Sequence, residues 1–173
     1  MTMQTDVLQG RLNESGWIVS SACRIKAVAL RNAASGTGRV FMFDAASAPV
    51  AATYARSTTT VTVTATAHGL KTGDYVGIGY VPDGSNRSAT CGQFPITKTG
   101  ADTFTITDPN TGTVSSSTVC YYVPAPGRWL YVRGVSDGDT YINYELLPGE
   151  GIRAKQQVYA QINNLASVSV YYG

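Results

Sequence analysis

Strict alternation of threonine with apolar residues is the feature that most constrains how this 173-residue chain folds. Within residues 57–66, threonine occupies every second position from Thr60 onward, and residues 102–108 repeat the pattern. Successive side chains of a β-strand point to opposite faces, so both segments predict half-buried strands with a hydroxyl face outward. The predicted inward side chains are Val61, Val63, Ala65, Phe104 and Ile106.

Short strands separated by turn residues are predicted along the rest of the chain. A turn at residues 98–103 predicts a hairpin between residues 93–97 and 102–108. No window combines a 3.6-residue apolar period with capping residues, so helix is predicted to be minor. The pattern predicts an all-β protein, arranged as a sandwich or a barrel. The further predicted strands are residues 23–30, 39–43, 75–81, 128–133, 141–146, 157–162 and 167–172.

Composition divides the chain into a middle section and two flanks. Most threonines lie in the middle, whereas both tryptophans, Trp17 and Trp129, lie in the flanks. Small residues and prolines at residues 45–52 and 123–127 are typical of domain boundaries. We therefore predict one discontinuous β-sandwich domain interrupted by a small inserted Thr-rich β domain. The predicted segments are an N-terminal arm at residues 1–11, a split domain at residues 12–52 and 125–173, and an insertion at residues 53–124.

The charge balance excludes several classes of protein. Charged residues make up 14% of the chain, and 13 Lys+Arg face 11 Asp+Glu for a net charge of +2. Scattered, balanced basic residues indicate no nucleic-acid partner, and no apolar run reaches the roughly 20 residues of a membrane-spanning helix. Low net charge with many branched residues argues against intrinsic disorder. The N-terminus lacks signal-peptide features, which indicates synthesis in a cytoplasm.

Residues that could carry catalysis are few. His68 is the only histidine, and its place before a glycine between two strands favours a turn residue over a catalytic base. Asp137 and Asp139 flank Gly138, which favours an exposed turn over a glycosidase pair or a calcium loop. The sequence therefore predicts no enzyme, no catalytic residue, no cofactor and no metal site.

Cysteine and tyrosine leave alternatives open. A bridge between Cys91 and Cys120 would clip the middle section, but a cytoplasmic compartment favours free buried thiols there and at Cys23. The pairs at residues 121–122 and 171–172, among eleven tyrosines, must place their members on opposite sheet faces. Core and interface packing is favoured for the tyrosines over a sugar-stacking site.

Several turn-and-strand motifs resemble segments of tailed-bacteriophage proteins. Residues 66–76, with the pattern AHGL..GD.V, followed by residues 92–97 and 102–107, resemble a β module that recurs in phage structural proteins. The flanks are similar to small phage virion proteins that end in a PGEGIRF…VTVFYG pattern. This chain has PGEGIR at residues 148–153 and Ala154 where those proteins carry an aromatic residue.

The resemblance implies a structural protein of a phage virion, made in the cytoplasm of the host bacterium. The leading hypothesis is a capsid decoration or cement protein that stabilises contacts between capsomers, with the major capsid protein and copies of itself as partners. The second hypothesis is a tail or neck protein. The third hypothesis is a receptor- or glycan-binding module displayed on the virion, with residues 80–89 as its contact loop.

Overall fold

The computed structural model describes residues 7–33, 35–83, 88–136 and 141–173, and of residues 116 and 117 it describes the backbone. Within these ranges all regular structure is β-strand and no helix occurs, so the predicted all-β class is confirmed. No helix in this part of the chain is available to cross a membrane. The strands are β1 (Leu8–Leu12), β2 (Gly16–Val19), β3 (Cys23–Asn32), β4 (Gly38–Ala45), β5 (Val50–Thr64), β6 (Tyr75–Tyr80), β7 (Gly92–Pro95), β8 (Thr97–Lys98), β9 (Thr103–Pro124), β10 (Arg128–Val135), β11 (Ile142–Leu146), β12 (Ile152–Ala154), β13 (Gln157–Asn163) and β14 (Leu165–Tyr172).

The chain divides into two compact units, each with its own core. Unit 1 combines Met1–Ala46 with Leu130–Gly173, and unit 2 is Ser47–Trp129. The first observed boundary, at residues 46–47, lies before the predicted one at residues 52–53. The second, at residues 129–130, lies after the predicted one at residues 124–125. Strand pairing explains the first shift, because β5 begins at Val50 and already pairs there with Tyr122 of β9.

Unit 1 is a sandwich of two antiparallel sheets. Sheet A has the strand order β1-β14-β3-β11, with β12 also paired to β3, and sheet B has the order β10-β4-β13-β2. Both sheets contribute to one aliphatic core, which contains Val28, Val168 and Val170 of sheet A and Val40 and Met42 of sheet B. Two sheets that share a core in this way define a β-sandwich.

Strand β4 is buried on both faces. Val40 and Met42 belong to the core between the sheets, and Phe41 and Phe43, on the other face, are fully buried as well. The continuous apolar run at these positions has no period-2 alternation, which is typical of a strand covered on both sides.

The predicted N-terminal arm is largely a strand rather than a free segment. Leu8–Leu12 forms β1 and pairs antiparallel with residues 168–172 at the edge of sheet A. The prediction of an arm at residues 1–11 is therefore wrong from Leu8 onward, and residues 1–6 lie outside the described part. The pattern was missed because Gln9, Gly10 and Arg11 interrupt the apolar alternation with weak strand formers.

Unit 2 is a single antiparallel sheet, sheet C, with the order β5-β9-β6-β7 and β8 also paired to β9. The longest strands of sheet C are β5, with 15 residues, and β9, with 22 residues. The predicted inward side chains of both strands are buried in one core, so the alternation assigned to them is confirmed.

The predicted hairpin between residues 93–97 and 102–108 forms only at its tip. Thr97 and Lys98 pair with Thr105 and Phe104, whereas Gly92–Pro95 pairs with β6 instead. Residue 96 marks the change of partner, because its N–H donates to the Asp74 carbonyl at 2.9 Å. Hydrophobic pattern alone does not choose between two neighbouring strands of the same sheet.

Candidate interaction surface

His68 lies in the turn that follows β5, as its sequence context predicted. Its Nδ1 accepts a hydrogen bond from the Leu70 N–H at 3.0 Å, and its ring packs edge-on against Phe104 at 5.2 Å. Ala67 and Gly69, its neighbours on either side, both adopt positive φ. The imidazole therefore shapes the turn and contacts the core of unit 2.

The rest of the AHGL..GD motif also builds this turn. Gly73 has a φ of +95°, which favours glycine, and the Asp74 carboxylate accepts a hydrogen bond from the Lys71 N–H at 2.8 Å. The Asp102 carboxylate accepts from the Ala67 N–H at 2.7 Å and ties the turn to β9. Each motif residue thus has a structural role in bringing β5 round toward β6.

The PGEGIR motif of unit 1 is a second glycine-dependent turn. Gly151 has a φ of +78°, and a Cβ there would lie 2.0 Å from the Ile25 carbonyl oxygen, closer than atoms can approach. Glu150, at the tip of the turn, forms an ion pair with Arg24 at 2.8 Å. Only glycine permits this close approach of the turn to β3.

The two aspartates considered for acid chemistry, Asp137 and Asp139, lie outside the described residues. Within the described ranges no three His, Cys, Asp or Glu side chains cluster in a way that could hold a metal ion. Cys23, Cys91 and Cys120 form no disulfide, so Cys91 and Cys120 are thiols and not a bridge. Burial raises the pKa of the Cys120 thiol well above its usual range, so it stays protonated and a poor nucleophile.

Most tyrosines of unit 2 serve its core. Tyr54, Tyr80 and Tyr122 are almost fully buried, and the Tyr54 hydroxyl donates to the Val81 carbonyl at 2.8 Å. Burial raises the pKa of all three hydroxyls. Tyr121, the next residue along β9, points to the other and more exposed face of the sheet, as strand alternation predicts. These buried rings are not available to stack on a sugar.

The loop proposed for receptor contact, residues 80–89, is held at its C-terminal end by a buried ion pair. Arg56 and Asp108 lie 3.3 Å apart, with side chains that are 5% and 2% exposed. Arg56 donates to the Ser88 carbonyl at 3.0 Å, and Asp108 accepts from the N–H and the hydroxyl of Thr90. The first and last residues of the loop are themselves buried, and residues 84–87 lie outside the described part.

The largest set of exposed apolar side chains in the described residues lies on β11, at the edge of sheet A. Ile142 is 68% exposed, Tyr144 is 53% exposed and Leu146 is 70% exposed. These three alternate with Asn143 and Glu145, so they share the outer face of the sheet, away from the core of unit 1. A half-buried strand normally turns such residues inward.

Strand register extends this apolar edge across sheet A into a continuous surface, here called the outer face. Tyr144 is opposite Ala29 of β3, and Tyr171 of β14 is opposite Ala27. The rings of Tyr144 and Tyr171 meet edge to face at 5.7 Å above the strand between them. The two alanines are 7% and 1% exposed, because the rings cover them. The outer face consists of Gln9, Arg11, Ala27, Ala29, Arg31, Ile142, Tyr144, Leu146, Ser167, Ser169 and Tyr171.

Two arginines give the outer face its charge. Arg31 is opposite both Ile142 and Ser167, and Arg11 is opposite Ser169 at the far edge of the sheet. A shallow groove runs between these side chains, with Ala29 in its floor. Tyrosine, arginine and exposed aliphatic residues are the side chains enriched where proteins bind one another, and lysine, which is depleted there, is absent from this face.

Side chains between the two sheets hold β11 in place. Glu145 points toward sheet B, where its Oε2 accepts a hydrogen bond from the Tyr131 hydroxyl at 2.6 Å. The same oxygen pairs with the Arg133 guanidinium at 2.6 Å. Burial and this hydrogen bond raise the pKa of the Tyr131 hydroxyl. The edge strand is therefore supported by β10 as well as by β3.

The outer face combines side-chain types that are common where proteins bind one another. It contains hydrophobic area, two cationic groups and several hydroxyls, but no carboxylate, thiol or imidazole that could act as a base or nucleophile. Sequence reasoning predicted strands at residues 141–146 and 167–172 but did not join them. The alternation Ile-x-Tyr-x-Leu at residues 142–146 was visible in the sequence, but this pattern does not show whether the apolar face of the strand is buried or exposed.

Comparison with known proteins found no protein-family model that matches the chain and no curated protein that matches it in sequence.

Proposed function

We propose that the protein is a structural component of a tailed-bacteriophage virion, a capsid decoration or cement protein that stabilises contacts between capsomers. The observation that carries the proposal is the outer face of unit 1. It holds tyrosine, arginine and aliphatic side chains exposed on a rigid sheet, the composition of a protein-binding surface. Its partners in this proposal are the major capsid protein and other copies of the chain.

The motif resemblance supports the virion class. The AHGL..GD and PGEGIR segments that resemble phage structural proteins form the turns that determine where β6 and β12 begin. Such residues are constrained by conformation, since Gly73 and Gly151 have positive φ. A protein related to the virion proteins through these turns would share their framework while differing at its surface.

Deletion of the gene from the phage that encodes the chain tests this function. Particles without the protein are expected to release DNA at a lower temperature than wild-type particles, because capsomer contacts lose the added buried surface. Heat-induced DNA release, followed by dye fluorescence, measures the effect. Unchanged heat stability would contradict the cement role.

Matched charge reversals connect the role to the outer face. Arg11→Glu reverses an exposed charge on that face, and Lys71→Glu reverses an exposed charge in a turn of unit 2. Complementation with the first variant is expected to leave particles heat-sensitive, whereas the second restores them. If both variants restored heat stability equally, the result would contradict a capsid contact on the outer face.

Copy number distinguishes capsid from tail or neck. A decoration protein follows the capsid lattice and is present in hundreds of copies, whereas a protein on the portal axis follows its symmetry of about six or twelve. Quantitative mass spectrometry of purified virions measures this number. A count near six or twelve would replace the capsid assignment with the tail or neck assignment.

A further inference from the structure

The free edge of β11 is an open site for another strand. On one side β11 pairs with β3 over five consecutive residues without a bulge, and among the described residues no strand lies on its other side. Natural proteins protect such edges with proline, with bulges or with charged side chains, lysine above all. The sequence of β11, INYEL, has no proline or lysine, and its single charged residue, Glu145, is paired with Arg133.

The hydrogen-bond alternation shows which backbone groups face this edge. The Leu147 N–H donates to the Lys26 carbonyl at 2.9 Å, which makes that pair a hydrogen-bonded pair of the antiparallel ladder. Because such pairs alternate along a ladder, residues 145 and 143 also bond to β3. The N–H and C=O groups of Ile142, Tyr144 and Leu146 therefore point away from β3, toward the free edge.

The strand is complementary to a second copy of itself. If two β11 strands pair antiparallel about a two-fold axis through Tyr144, Ile142 of each copy lies opposite Leu146 of the other. Tyr144 then lies opposite its own equivalent, and Asn143 lies opposite Glu145, so no two carboxylates face each other. Like charges placed directly opposite would destabilise a pair of strands.

We propose that two copies of the protein associate through β11, joining their A sheets into one continuous antiparallel sheet across a two-fold axis. Each of the three outward-facing residues forms a hydrogen-bonded pair, which supplies about six inter-strand hydrogen bonds. The outer faces of both copies become one surface, with the exposed Ile142, Tyr144 and Leu146 side chains packed in pairs at its centre. The partner in this association is a second copy of this chain.

This inference deepens the proposed function by giving the self-association a site, and it rests on that function in this respect. A single pair of strands buries less than the roughly 1,600 Å² of a stable complex, so the dimer is expected to depend on concentration. The two proposals have separate tests. Heat-sensitive deletion particles would support the virion role even if the purified protein remained monomeric.

Cysteine cross-linking tests the two-fold register. Under the proposal the Cα atoms of residue 144 in two copies lie about 5.5 Å apart, within the roughly 4.4–6.8 Å range of a disulfide. Tyr144→Cys is therefore expected to give a disulfide-linked dimer on a non-reducing gel under mild oxidation. The parent protein shows any linkage made by the native thiols.

Ile142→Cys is the matched control. Its side chain is also exposed on the same face of the same strand, but the axis through residue 144 puts residue 142 about 14 Å from its equivalent. This single variant is expected to cross-link no more than the parent, whereas I142C/L146C is expected to cross-link strongly. Equal cross-linking of the two single variants, or none in Tyr144→Cys, would overturn the register.

Charge complementation tests association without covalent chemistry. Ile142→Lys alone and Leu146→Glu alone are expected to make the protein monomeric, because each puts a charge opposite an apolar side chain. The double variant I142K/L146E is expected to restore the dimer by pairing lysine with glutamate, whereas I142K/L146K is not. Sedimentation velocity over a concentration series measures these states. A parent protein that is monomeric at every concentration, or no difference between the double variants, would overturn the proposal.

Discussion

The two units of this protein distribute polar and apolar groups in opposite ways. Unit 2 buries its ion pair, Arg56 with Asp108, and turns threonines such as Thr60 outward. Unit 1 keeps the pair of Arg133 and Glu145 partly exposed and carries its largest exposed aliphatic side chains on β11. Both units are antiparallel sheets with apolar cores. Unit 2 therefore removes the charges of this ion pair from solvent, whereas unit 1 leaves its own pair partly solvated and exposes apolar side chains on an edge strand.

The buried ion pair is expected to give the largest stability effect. Asp108→Ala removes one partner and leaves the Arg56 guanidinium buried without its carboxylate, which costs about 3–5 kcal/mol of unfolding free energy. Denaturant titration measures the loss. The double variant R56M/D108L, which buries no charge, is expected to recover most of it. A loss below about 1 kcal/mol for Asp108→Ala would remove the contrast between the units.

A smaller loss is expected at the buried carboxylate of unit 1. Asp44 is fully buried, and its two oxygens accept the N–H groups of Lys155 and Gln156 at 2.8 and 2.7 Å. Asp44→Ala leaves both donors without this acceptor, which costs roughly 2–3 kcal/mol. Asp44→Asn retains an acceptor oxygen and is expected to lose less. Equal losses in the two variants would show that the N–H contacts contribute little.

Alkaline pH is expected to act on unit 2 through its buried tyrosines. Burial raises the pKa of Tyr80 in the folded state above the unfolded value near 10, so its stabilisation is present below about pH 10 and is lost as pH rises further. Denaturation at pH 8 and at higher pH measures this loss. Tyr80→Phe is expected to reduce this alkaline loss of stability, because phenylalanine has no hydroxyl to ionise. The substitution removes no hydrogen bond, since no described group bonds to the Tyr80 hydroxyl. An unchanged pH dependence in this variant would assign the loss to other tyrosines.

The outward faces are expected to give the smallest stability effects. Leu146→Ser on β11 and Thr60→Ala on β5 both replace exposed side chains, and each is expected to change unfolding free energy by less than about 0.5 kcal/mol. The two variants differ in association, which only Leu146→Ser weakens. A clear destabilisation by Leu146→Ser would make the apolar edge part of the fold of unit 1 rather than a binding surface.

Local pattern predicted the strands of unit 2 well, because the reason for each position is local. Threonine and valine alternate at 60–64, and the structure buries Val61 and Val63 accordingly. The same reasoning failed at β1, where Gly10 sits among weak strand formers and pairing with β14 supplies the order. It also assigned residues 93–97 to one hairpin partner when β6 competes for them.

The outer face shows why a surface is harder to predict than a strand. Tyr144, Tyr171 and Arg11 lie in separate parts of the sequence, and only the strand order β1-β14-β3-β11 brings them to one face. The ring contact over Ala27 and Ala29 depends on small side chains in a strand that the sequence predicted without assigning its faces. The role of Arg56 was missed for the same reason, since its partner is 52 positions away at Asp108.

The sequence by itself determined that this chain is all-β, where most of its strands lie and which turns need glycine. Those properties depend on side-chain alternation and on φ angles, which are local. Tertiary structure alone decided which sheet each strand joined, which charges were buried and which apolar residues stayed outside. A strand such as β11 alternates in the same way whichever face is covered, so only its neighbours determine that Ile142, Tyr144 and Leu146 are exposed.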